Sequence, residues 1–206
     1  MNVTQLLSAT FHLAKSQNFE LQQKWIVASV RVGGLLPNSL LMYSVQRIGE
    51  LDTVLRSIEA ERSQVQHTPD QIDIFSLSYQ SLLSDLWIGS SYEVVRLLGG
   101  RGIAPSSDNF VSLFQDLTML RIPIEKHEIA QDRKLALPLE MAHSASANNE
   151  RDSYIYDKGD TQRAHIMPQG TSARRSTMWH AIDVVSRSSK WLERLDLSER
   201  MLAIWD

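Results

Sequence analysis

Arg121, Glu125, His127 and Glu128 crowd into one eight-residue run, Arg-Ile-Pro-Ile-Glu-Lys-His-Glu, of this 206-residue chain. Imidazole titrates near neutrality and moves protons, and a guanidinium presents a planar fork of donors. The run lies in a helix predicted from about Asp108, with apolar side chains at Phe110, Leu113, Leu117, Leu120 and Ile124. With Leu117 at zero and about 100° per residue, Arg121, Glu128 and His127 fall near roughly +40°, +20° and −80°. All three therefore point into or beside the apolar arc. Glu93, on the preceding helix, intrudes into an apolar stripe in the same way, and antiparallel packing of the two helices would bring it to Arg121 or His127. Buried polar groups need partners. A purely structural arrangement meets that need: Arg121 pairs with Glu125, Glu128 or Glu93, and His127 bonds a carbonyl.

An Arg followed by His after five intervening residues, in the last helix of a bundle, resembles the Arg-x(4–6)-His signature of the HEPN superfamily. The resemblance covers the bundle, residues 38–135. It implies a dimeric helical bundle and a metal-independent endoribonuclease. In that site His127 would be general acid or base at a 2′-hydroxyl or leaving oxygen, and Arg121 would neutralise the scissile phosphate. Glu93 or Glu128 would orient them, and two such motifs would face each other across a homodimer. The chain departs from the family pattern at Ile122, where a polar residue is usual, and at Pro123 inside the motif.

The elements that must hold this run read as a bundle. Thr4–Ser16 has helical spacing, and Glu20–Val32 is open between helix and strand because Ile26, Val27, Val30 and Val32 are β-branched. Gly33-Gly34 and Pro37 punctuate the chain. A long helix capped at Asn38 or Ser39 runs to about Gln64, its stripe being Leu41, Val45, Ile48, Leu51, Leu55 and Ile58. Arg47, Glu50, Arg56, Glu59, Glu61 and Arg62 form its solvated face. Thr68-Pro69 starts the next helix, which runs to Leu98 with a stripe of Ile72, Phe75, Tyr79, Leu82, Leu86, Gly89, Glu93 and Leu97. The helix from Asp108 kinks at Pro123 and ends before Pro138. Residues 142–150 read as a linker. The runs 152–157, 163–167, 177–184 and 190–195 read as strands of a small antiparallel sheet, and a closing helix starts at Ser198. The expected fold is mainly α, an up-and-down bundle over residues 1–141 with a small β appendage over 151–206.

Composition narrows the chemistry. The chain has no cysteine and a net charge of −3, which excludes disulfides, thiolate metal sites and a cysteine nucleophile. It also excludes a face that grips duplex nucleic acid by charge alone. Nucleic-acid contacts would be local, at Arg121 or at Arg163, Arg174 and Arg175 of the appendage, with Tyr154, Tyr156 and Trp179 able to stack on bases. His12, His67, His143, His165 and His180 lack metal-site spacing, so no metal or other cofactor is expected. Gly99-Gly100-Arg101-Gly102 follows a helix and lacks the strand and Lys-Ser/Thr of a phosphate loop. No apolar run approaches the roughly 20 residues of a membrane span, and Met1–Phe19 is no secretory signal, so the expected compartment is the cytoplasm. Two functions follow as expectations: a HEPN-like ribonuclease acting on RNA, or a non-catalytic dimeric module that docks a protein or nucleic-acid partner.

Overall fold

The computed structural model describes residues 2–64, 74–142 and 153–205. Among them are six α-helices: α1 (Val3–Gln17), α2 (Phe19–Leu35), α3 (Leu41–Gln64), α4 (Ile74–Gly100), α5 (Asp108–Lys126) and α6 (Arg194–Leu202). The five strands are β1 (Leu139–Ala142), β2 (Ser153–Tyr156), β3 (Gln169–Thr171), β4 (Thr177–Asp183) and β5 (Ser188–Glu193). The chain is thus mainly helical, with a small antiparallel β region toward its C-terminal end. The Thr68-Pro69 helix start and most of the expected linker lie outside the described residues.

Local chemistry explains the helix ends. Asn2 and Gln5 form a reciprocal capping box at α1. The Ser39 hydroxyl accepts from the Leu41 N–H, and the Ser107 hydroxyl from the Phe110 N–H. The ambiguous stretch 20–32 is helix: Trp25, Ala28, Ser29 and Val32 fall on one buried face, and the β-branched Val27 and Val30 stay in solvent. Gly33 and Gly34 lie inside α2 rather than ending it. Where α2 crosses α3, a Cβ on Gly49 would sit 2.5 Å from Trp25 Cβ and Cγ, so only glycine allows the approach.

One continuous core takes Trp25, Ile48, Leu55, Trp87, Leu98, Leu113 and Leu117 from the bundle together with Trp179, Leu192, Leu197 and Met201 from the C-terminal region. The strands form two sheets, a pair β1–β2 and a triplet β3–β4–β5, both antiparallel. The expected strand at 163–167 pairs in no ladder, and the short segment after it, Gln169–Thr171, is β3. In β4 the period of two sends Thr177, Trp179 and Ala181 into the core and turns Met178, His180 and Ile182 to the other face. The closing helix starts at Arg194, directly after β5.

Two parts of the predicted pattern are corrected by packing. Much of the stripe assigned to α4 is outside: Tyr79, Leu82 and Leu86 are 60%, 56% and 55% exposed, while Leu97 packs against a buried face formed by Trp87, Ile88, Val94, Val95 and Leu98. On α3, Glu59 is not a solvated residue. It is buried with Asp52 around the guanidinium of Arg194, which is wholly enclosed. Arg194 binds Asp52 through Nη1 and Glu59 through Nη2 at 2.8 Å, while Trp25 Nε1 and the Ser198 hydroxyl donate to the second Asp52 oxygen at 3.0 and 2.8 Å. Every carboxylate oxygen of the cluster thereby gains a donor, the condition for burying charge at all.

Candidate functional site

The helix α5 carries the Arg–His run, and its ending decides where the run points. Pro123 lies buried inside the helix, which continues for one turn and stops at His127 in the left-handed conformation (φ 56°). The His127 N–H donates to the Pro123 carbonyl at 3.0 Å, and its own carbonyl accepts from the His165 N–H at 2.7 Å. Arg121 and His127 consequently serve different surroundings.

Arg121 lies against α4. Its Nε is 2.7 Å from Glu125 Oε2 and its Nη2 is 3.7 Å from Glu93 Oε1. The guanidinium sits 5.0 Å above the ring of Tyr92, which stacks on Phe114. Glu93 is half-exposed and also binds Arg96 at 2.7 Å. Glu93 thus meets Arg121 and not His127. Glu128 turns away from both and pairs with Arg163 at 2.9 Å. Arg163 also holds Asp132 at 2.8 Å, and Asp132 accepts from the Tyr156 hydroxyl. That cluster fastens the chain after α5 to β2, and Asp132 first and then Tyr156 raise the Arg163 pKa.

Of the remaining arginines read as phosphate contacts, Arg174 is similarly engaged, and Arg175 is tied through its backbone. Arg174 binds Glu193 and, at 3.1 Å, Glu199; Glu193 foremost lifts its pKa further above the ordinary arginine value. Arg175 takes a left-handed conformation (φ 63°), and its carbonyl accepts from Gln80 at 2.7 Å. Of the predicted stacking residues, Trp179 and Tyr156 are buried.

His127 instead opens on a cleft of about 1010 Å³ between α4, α5 and the sheets, and its walls also carry His165, His180, Tyr154 and Asp85. Each residue is aimed by an identifiable device. The left-handed turn aims His127, the outward face of β4 presents His180, and the His127 carbonyl holds the backbone of His165. The His165 Nδ1 shares a hydrogen bond of 2.8 Å with the Tyr154 hydroxyl. Burial first, and then the nearby His180, push the His165 pKa below its usual value, which favours the neutral ring. Asp85 accepts from Trp179 Nε1 and from Gln169 Nε2, both at 3.2 Å, and burial raises its pKa against those two bonds.

Sequence reasoning treated His165 and His180 only as members of a failed metal pattern and passed over Asp85. The available signal was the alternation of Trp179, His180 and Ala181, which requires one face for His180 and the other for its neighbours. Among the described residues, no three histidine or acidic side chains converge as a metal-binding group; the cleft histidines are spread around its wall. Nor is any helix among those residues long and apolar enough to cross a membrane. No family model, curated protein or solved structure matches the chain.

Proposed function

We propose that the chain is a non-catalytic interaction module, a helical bundle that pairs with a second copy of itself and docks a protein partner. The observation that carries this reading is the apolar stripe Tyr79, Leu82 and Leu86 on α4, more than half exposed and spaced to form one helix face. Leu7, Phe19, Val27 and Val30 add exposed apolar surface on α1 and α2. The engagement of Arg121, Arg163 and Arg174 by carboxylates supports it too, since a phosphate would have to compete with those partners. Light scattering after size exclusion tests the pairing. A dimer that becomes a folded monomer in Leu82→Arg/Leu86→Arg is the expected result, and a monomeric wild type overturns it.

A second reading, a HEPN-like endoribonuclease in the cytoplasm, is favoured by His127 sharing its cleft with His165 and His180. One imidazole would take the proton from a 2′-hydroxyl as that oxygen attacks phosphorus. Another would protonate the departing 5′-oxygen, leaving a 2′,3′-cyclic phosphate without metal. Arg121 would have to leave Glu125 and Glu93 to reach that phosphate. Incubation with single-stranded RNA and analysis of the ends tests this. Cyclic-phosphate products lost in His127→Ala are expected, and intact RNA with the wild type removes the reading.

A further inference from the structure

We propose that the cleft between α4, α5 and the sheets binds a small planar amidine or amino-heterocycle, held by the open oxygen of Asp85 and the open ring edge of His165. Asp85 carries the argument. Both hydrogen bonds it accepts, from Trp179 and from Gln169, land on Oδ1. Its Oδ2 accepts none among the described residues, although the side chain is partly buried in the cleft wall. A carboxylate tied by one oxygen keeps a fixed orientation and leaves the other as an acceptor for an incoming N–H.

His165 supplies the second anchor. Its Nδ1 edge is taken by Tyr154 and its backbone by the His127 carbonyl, so the ring is fixed, and its Nε2 edge makes no hydrogen bond among the described residues. Burial favours the neutral form of this ring, the form that does not repel a cation.

The rest of the wall selects the ligand class. Asp85 and Glu140 line the cleft, and among the described residues no lysine or arginine does, so phosphates and carboxylates are disfavoured and N–H donors favoured. Ile124, Met141, Met167 and Ile182 give apolar walls against which a flat ring can lie, with methionine sulfur suited to an aromatic edge. A cleft of about 1010 Å³ is at the upper end of the range for small-molecule sites. The inference does not depend on pairing of the bundle or on cleavage of RNA.

Benzamidine and its anionic isostere benzoate provide the test, read by NMR on the full chain. Benzamidine is expected to shift the ring C–H resonances of His165 and His180 saturably, and to show intermolecular NOEs to the Met141 and Met167 methyls. Benzoate is expected to do neither. Asp85→Asn, which keeps the shape and the acceptor for Trp179, is expected to weaken benzamidine at least tenfold while His180→Ala leaves the Met NOEs in place. Absence of saturable shifts, equal response to benzoate, or unchanged affinity in a folded Asp85→Asn overturns the proposal. Should Asp85→Asn not fold, the NOEs on the wild-type chain decide alone: present they support the site, absent they overturn it.

Discussion

Arg194 grips both oxygens of Glu59, through Nη2 at 2.8 Å and Nε at 3.2 Å, in a place where the guanidinium meets no solvent at all. The same guanidinium binds Asp52, and its charge lies 5.8 Å over the Trp87 ring. Removing one member leaves the others charged and uncompensated in the core. Glu59→Ala and Arg194→Ala are each expected to cost about 3–5 kcal/mol, measured as the drop in urea unfolding free energy. A loss below about 1 kcal/mol in both would mean the cluster is not buried in solution.

Two glycines should respond in opposite directions to the same substitution. Gly49→Ala drives a methyl into Trp25 at the α2–α3 crossing and is expected to cost about 1–3 kcal/mol. Gly34→Ala adds a methyl inside α2 where nothing lies within 4 Å, and should gain about 0.5–1 kcal/mol. Thermal melts of the pair, with opposite shifts, check the crossing geometry without reference to function.

His165 sets a pH dependence whose sign is fixed by its environment. Burial lowers its folded pKa below the unfolded value of 6.5. Between the two values the unfolded chain binds more protons, so stability rises with pH across that window. This contribution is complete above 6.5 and is lost as pH falls through the folded value. Unfolding free energies measured from pH 7.5 downward should therefore decline for the wild type more steeply than for His165→Gln. Equal slopes would show that the ring is solvated. Asp85, whose pKa is raised, works with the opposite sign in a lower window that begins at 3.8.

His127 holds a left-handed backbone at the end of α5 that a residue with a Cβ enters at a cost. His127→Gly should raise stability by about 1 kcal/mol, seen as a higher melting temperature. Combining that rise with loss of cyclic-phosphate products would attribute activity to the imidazole. The same rise with dimerisation unchanged agrees with a module that does not use the ring.

The helical bundle was legible because α3 and α5 each pair one buried stripe with a recognisable cap, at Ser39 and at Ser107. Helix α4 misled because it is apolar on nearly every side. Both the Tyr79–Leu82–Leu86 row and the Trp87–Val94–Leu98 row are apolar, and only the neighbours decide which is covered. Glu59 looked like a surface acid because its partner, Arg194, lies 135 residues away in sequence. The cleft was least legible of all. Asp85 lies on α4, His127 ends α5 and His180 sits on β4, so no local spacing announces their meeting. By contrast Arg121 with Glu125 and Glu93 matches the ion pairing that a structural account of the run requires.

The Arg194 cluster also dictates an order of events during synthesis. Asp52 and Glu59 belong to the third helix, and the cation that makes their burial tolerable is translated long after them. Until then the cations near them are Arg56, 3.6 Å from Asp52, and Arg62, both on their own helix. Only when α6 docks do they gain the enclosed guanidinium, so that helix is the latch that closes the centre of the bundle.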